Sequence, residues 1–193
     1  VMEAIQALDI QILYWLADYF RNDILTPILT FLTHLCDHGE LWLTLALVLL
    51  LRPRTRRCGT AILLAMALGL ILGNGILKNL IARPRPFITY TELVPLVQVG
   101  GYSCPSGHTL ASFTAAAAVF SFYKKPGAAA LLLAALIGFT RLYVGVHYPT
   151  DVLFGAALGI LFGTLSAAAV KRIAVNLHYA RLKRADIPEK KQK

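Results

Sequence analysis

Apolar residues fall in blocks of hydrocarbon length, separated by short polar breaks. Residues 58–77 form the clearest block, 20 positions long, or about 30 Å of α-helix, the thickness of a bilayer core. Blocks over 108–123, 127–145 and 152–170 repeat the pattern, and each predicts a membrane helix. Gly69 and Gly73 in the first block, and Gly155, Gly159 and Gly163 in the last, recur at four-residue spacing. They share one helix face, which predicts close backbone packing.

The N-terminal pattern differs. Ile5, Leu8, Ile12, Leu16 and Tyr19 follow a helical period with Glu3, Gln6, Asp9 and Asp18 interleaved. This predicts an amphipathic helix within 1–22 that lies in the interface. The stretch 24–51 is apolar but broken by Pro27, His34 and Asp37-His38-Gly39-Glu40. It predicts a helical hairpin turning near 37–40, with His34 and His38 as polar members of the turn. Residues 78–104 carry Pro84, Pro86, Pro95, Gly100 and Gly101 and predict a loop. The expected fold is all-α: a single polytopic membrane bundle over 1–193, with about five or six transmembrane helices. A basic tail is expected over 171–193.

Composition agrees with this class. The chain is 57% hydrophobic and 15% charged, against roughly 45–50% and 25% in soluble domains. The net charge of +9 would suit nucleic acid, but eight of the 19 Lys and Arg lie from Lys171 onward, as a lipid-facing flank. No nucleic-acid partner is expected. Glu3 stands where a secretory leader would be basic, and no cleavage site follows, so no leader is expected. Cys36, Cys58 and Cys104 lack metal spacing and read as free thiols, with a Cys36–Cys104 bridge as the open alternative.

Charge also orients the bundle. Loop 52–57, Lys124-Lys125 and the tail hold fourteen Lys and Arg, and placing them inside leaves loops 78–107 and 141–151 outside the cytoplasm. The C-terminus is then cytoplasmic. Lys78, Arg83, Arg85 and Arg141 lie on the outer side against the charge rule, beside Ser106, His108, His147 and Asp151. Gathered cations suit an anionic group, and Arg grips phosphate with two parallel hydrogen bonds. Ser106-Gly107-His108 opening a helix adds backbone N–H donors and a positive dipole end. Two histidines supply a nucleophile and a proton donor. Taken singly, each residue has a plainer reading: Ser106 as a helix cap, Asp151 as an early helical acid, Lys78 as a snorkelling end. Those readings do not explain why all gather on one face.

The order Lys78-x6-Arg85-Pro86, Pro105-Ser106-Gly107-His108, Arg141-x5-His147-x3-Asp151 resembles the three-part signature of the type-2 phosphatidic-acid phosphatase superfamily. One position departs: Thr140 stands where the family has Ser, keeping a hydroxyl for phosphate contact and adding a methyl. The resemblance implies that His147 attacks phosphorus, Asp151 holds its tautomer, and His108 protonates the leaving oxygen. It also implies that Lys78, Arg85, Arg141, Ser106 and the Gly107 amide bind phosphoryl oxygens. Arg83 falls outside the motif and is expected to meet lipid headgroups. No carboxylate cluster for Mg²⁺ is visible, so neither metal nor other cofactor is expected.

By the same resemblance the chain is expected to be a lipid phosphatase of the bacterial plasma membrane, with undecaprenyl diphosphate as substrate. Phosphatidylglycerophosphate or phosphatidate stands second. A lipid phosphotransferase using the same phosphohistidine is the alternative reaction. A non-catalytic membrane binder would not need the intact signature, and a haloperoxidase of similar site would be soluble.

Overall fold

The computed structural model describes residues 2–37 and 39–185. Val1, His38 and 186–193, including Lys190, Lys191 and Lys193 of the expected tail, lie outside the described residues. Helices α1 (Met2–Tyr19), α2 (Leu25–His34) and α3 (Glu40–Leu51) come first. Helix α4 (Arg56–Leu68) continues through a π-helical stretch, Gly69–Leu77, into α5 (Lys78–Ile81). The short α6 (Pro86–Thr89), then α7 (Gly107–Phe122), α8 (Lys124–Tyr143) and α9 (Pro149–Ala185) complete the chain. The described residues contain no strand.

Two boundaries differ from the sequence pattern. Lys78 belongs to the helix rather than to the loop, because the chain leaves the helix only at Ala82, at φ 47°. Pro84 lies just beyond and cannot continue a helix. Helix α9 runs past Val170 to Ala185, so the first part of the expected tail is helical. The hairpin expected over 24–51 turns between His34 and Glu40.

Helix α7 lies at the centre, with buried Ala115, Ala116, Ala117 and Ala118. The glycine stripe of α9 rests on its backbone. A Cβ at Gly155 would stand 2.9 Å from the Ser106 carbonyl, and one at Gly159 would stand 2.8 Å from the Leu110 carbonyl. At Gly163 a Cβ would come closer still to the Thr114 carbonyl. Both rows step by four residues, so two helix faces meet along their whole contact. The near end of this seam brings the Ser106 N–H within 3.2 Å of the Asp151 carbonyl. Gly73 in the π-helical stretch packs on Leu110 of the same helix. Trp42 of α3 donates to Ser112 across 2.9 Å and ties the hairpin to α7.

Three helical stretches are long and apolar enough to cross a membrane: Arg56–Thr89, Lys124–Tyr143 and Pro149–Lys183. Large side chains such as Leu70, Leu132, Leu153 and Leu165 are exposed on their outer faces, an arrangement for lipid rather than water. On α1, Ile5, Leu8 and Tyr19 of the expected apolar stripe are exposed, whereas Asp9 is buried against the bundle. The partners of Asp9, one of the interleaved polar residues, are Arg83 and Thr150. All three cysteines are free thiols, so Cys36 and Cys104 are not bridged.

Gly159→Leu should separate α7 from α9, because its Cβ would meet the Leu110 carbonyl at 2.8 Å and Phe113 Cβ at 2.7 Å. A loss of about 1–3 kcal/mol is expected, read as a lowered thermal midpoint in detergent. Gly100→Ala, with nothing within 4 Å of the new carbon, is the control and should shift stability by less than about 0.5 kcal/mol.

Candidate active site

A cavity of about 930 Å³ lies between the α2–α3 turn, the α4 to α5 helix, the N-terminus of α7 and the loops that follow α6 and α8. Its polar part is lined by Lys78, Arg85, Gly107, His108, Arg141 and His147. Leu43, Leu63, Met66 and Leu70 line the rest, so a charged end passes into an apolar one.

His147 sits in the turn between α8 and α9. Gly145 makes that turn at φ 77°, where a side chain would be strained and would press on Arg21. The imidazole is buried, with Nε2 3.3 Å from Arg85 Nη1 and Nδ1 3.3 Å from Ser103 Oγ. A guanidinium can only donate, so Nε2 must be the bare nitrogen and Nδ1 the N–H. Burial, helped by Arg85 and Arg141, pushes this imidazole down to about 3 against the pull of Asp151. It is therefore neutral near pH 7 and carries an available lone pair at Nε2.

Asp151 is fully buried behind His147. Its Oδ2 is 3.7 Å from Nδ1, too long for a hydrogen bond, and the Ser103 hydroxyl stands between, donating to Oδ2 at 2.5 Å. The Tyr148 N–H also donates to Oδ2, at 3.0 Å. The orienting contact expected directly from Asp151 thus runs through a serine.

The three cations that line the cavity differ in how far the protein engages them. Arg85 is held by carbonyls, Gly100 at 2.8 Å and Val146 at 2.9 Å. Arg141 is 1% exposed, with one donor on Thr33 Oγ1 and no partner for Nε. Neither these two nor Lys78 has a salt bridge among the described residues. Buried charge without a counter-ion is costly, and an arriving anion relieves that cost. The N-terminus of α7 adds its positive dipole end at Gly107.

His108 meets a carboxylate that the sequence pattern did not single out. Its Nε2 lies 3.1 Å from Asp37 Oδ1, and Asp37 Oδ2 lies 2.7 Å from His34 Nδ1. Burial opposes ionisation of Asp37, but the bonds from His34 and His108 hold its carboxyl below the usual range.

Six of the expected site residues therefore converge: Lys78, Arg85, Gly107, His108, Arg141 and His147. Three others stand apart from the cavity wall. Ser106 is buried, and its hydroxyl accepts from Thr109 at 2.9 Å. Thr140 is also buried, its hydroxyl bound to the Ile137 carbonyl of its own helix at 2.6 Å, so its methyl does not shape the cavity. Arg83, expected at lipid headgroups, is engaged within the protein by Asp9, Asp151, Gln6 and Thr150. Sequence reasoning missed Asp37, Ser103, Thr33 and the inward face of Asp9. A turn carboxylate flanked by two histidines was the one visible signal. Among the described residues, no three His, Cys, Asp or Glu side chains converge as a metal cage would require.

The model of the PAP2 superfamily matches residues 59–174. The chain is 34% identical to the bacitracin transport permease protein BcrC of Bacillus licheniformis, over 74% of this chain and 73% of that one. It is 31% identical to an undecaprenyl-diphosphatase of Sulfolobus acidocaldarius, over 80% and 75%. Among solved structures, it resembles the PAP2 type phosphatidylglycerolphosphate phosphatase from Bacillus subtilis, with TM-score 0.74, 29% identity and 88% coverage of both chains.

Inorganic phosphate should raise the thermal midpoint of the purified protein, as any ligand of the native state does. Arg141→Met should weaken that binding at least about 10-fold, the scale of one lost charge-assisted hydrogen bond. An unchanged phosphate response in Arg141→Met would remove Arg141 from the anion site.

Proposed function

We propose, from the premise that this chain belongs to the PAP2 superfamily and is an integral-membrane lipid phosphatase, that it converts undecaprenyl diphosphate to undecaprenyl phosphate through a phosphohistidine at His147. The observation that carries this reading is the bare Nε2 of His147 beside Arg85, at the charged end of a cavity whose other walls are apolar. A nucleophile, its anion clamp and a place for a lipid chain share one space.

The reaction balances with these residues. His147 Nε2 forms a P–N bond to the terminal phosphorus as the bridging P–O bond breaks. His108 gives its proton to the departing undecaprenyl phosphate. Water then attacks phosphorus, the P–N bond breaks, and the water proton passes to His108. Inorganic phosphate leaves, and both histidines regain their starting state. Lys78, Arg85 and Arg141 offset charge on the equatorial oxygens, the main demand of phosphoryl transfer. Asp37 holds His108 ready as the acid. Catalysis without a metal ion is part of the proposal, since three cations supply the charge stabilisation.

The substrate assignment draws on the diphosphatase relative, matched over most of both chains. Phosphatidylglycerophosphate is the second reading, favoured by the solved structure with equal coverage of both chains. We further assign five crossings (α3, the α4 to α5 helix, α7, α8 and α9), with the site on the outer face and the C-terminus inside. The charge distribution supports this orientation.

Purified protein should release phosphate fastest from undecaprenyl diphosphate in a panel that includes phosphatidylglycerophosphate and phosphatidate, and EDTA should leave the rate unchanged. His147→Ala and His108→Ala should lose at least about 10³-fold, as loss of a nucleophile or its proton partner does elsewhere. Asp37→Asn should fall by about 10-fold. Radiolabel from a terminally labelled substrate should attach to wild type in acid-labile form and be absent from His147→Ala. Label retained in that variant would sink the phosphohistidine; strict Mg²⁺ dependence would sink the metal-free route. For sidedness, Val94→Cys, at an exposed loop position, should react in intact cells with an impermeant thiol reagent above the wild-type background. Reaction only after lysis would invert the topology.

A further inference from the structure

Arg83 touches Asp151, stands outside the cavity lining and spends its terminal donors on the protein. Its Nη1 donates to Asp151 Oδ1 and Thr150 Oγ1, both at 2.7 Å. Its Nη2 donates to Asp9 Oδ2 at 2.8 Å and Gln6 Oε1 at 2.5 Å. Those four bonds use all four terminal N–H groups of a guanidinium. Its plane lies 3.8 Å over the Tyr148 ring. Arg141, by contrast, spends one donor on the protein and faces the cavity. The two arginines are equally basic and differ in what they have left to give.

The main chain of Arg83 adds a second hold. Its carbonyl accepts the Ser103 N–H at 2.8 Å, and the Ser103 hydroxyl is the bridge between His147 and Asp151. One residue therefore anchors both groups that orient the imidazole. It is itself held by Asp9 of α1, which also accepts from the Thr150 N–H at 3.0 Å and from the Thr150 hydroxyl. Helix α1 closes the chain of contacts from outside the signature motifs.

We infer that Arg83, held by Asp9, is a positioning residue for the reaction: it fixes the Asp151 carboxylate and, through it, the basicity of His147. This rests on His147 being the nucleophile. The electrostatic consequence has a definite sign. The charged groups around His147 are Asp151 from α9, Arg141 from α8 and Arg85 from the segment after α5. Around Asp151 stand His147, Arg83, Lys78 and the Cys104 thiol. Removing the Arg83 charge leaves Asp151 free to stabilise an imidazolium, so His147 keeps its proton to higher pH. Removing the Asp9 charge does the reverse, because Arg83 then neutralises Asp151 more fully.

The test uses the full purified chain and farnesyl diphosphate in detergent as probe, with orthovanadate as a phosphoryl mimic. Arg83→Met should lower kcat by roughly 10- to 100-fold, the scale of lost outer partners of a reacting group. KM and the vanadate inhibition constant should stay within about 3-fold, since Arg83 makes no phosphate contact. The acid limb of the rate profile should move to higher pH in Arg83→Met and to lower pH in Asp9→Asn. Substrate titration is common to all variants, so the difference isolates the enzyme. Arg83→Lys should restore the position of the limb in part, and together with Asp9→Asn it carries the test where Arg83→Met fails to fold.

Three results would overturn the inference. A vanadate affinity that falls with kcat would make Arg83 a phosphate ligand. A kcat loss with an unshifted limb would make it a packing residue, and an unchanged kcat would leave it without a role. His147→Ala run in parallel separates the two readings. Residual turnover there defeats the nucleophile assignment, whereas an inactive His147→Ala with an unshifted Arg83→Met defeats the Arg83 inference alone.

Discussion

The seam between α7 and α9 is the contact on which the rest depends. Inside a bilayer the hydrophobic effect does little to drive helices together, and close packing of small residues has to do so. Gly155, Gly159 and Gly163 let α9 rest directly on the Ser106, Leu110 and Thr114 carbonyls. Any side chain there would push the helices apart. Because the seam ends at Ser106 and Asp151, the packing that stabilises the bundle also sets the distance between two parts of the site. Stability and catalytic geometry share the same three glycines.

Around that seam, each cation is defined by how much of its hydrogen-bonding capacity the protein consumes. Arg85 is gripped by carbonyls and beds against His147; Arg141 is buried with a free Nε; Lys78 lines the cavity. Arg83 spends all four terminal N–H groups on the protein and pairs two carboxylates. Desolvation makes a buried cation without a counter-ion expensive, so the first three create a demand for an anion, while the fourth is already paired. A cavity with that demand at one end and apolar walls at the other suits a lipid phosphate.

Much of this was legible before any coordinates. The block lengths identified α4, α7, α8 and α9, and the four-residue glycine spacing identified the seam, because one-dimensional periodicity maps directly onto a helix face. Six cavity residues followed from three short motifs and the charge asymmetry. The failures have one cause. Asp37, Ser103 and Asp9 act across 71, 44 and 74 positions of chain, with His108, His147 and Arg83. No local pattern carries such a pairing. Thr140 is adjacent to Arg141 in the motif, but one step around the helix turns its hydroxyl onto the Ile137 carbonyl of its own helix.

Composition and periodicity are properties of the chain alone, and they carried the class of this protein, its helical blocks and the chemical types gathered at the site. The folded arrangement was needed to tell which of four cations line the cavity, which imidazole nitrogen is bare, and which carboxylate stands by which histidine. Those are questions of valence: a donor used in one contact is lost to another, and the count closes only when all partners are in place.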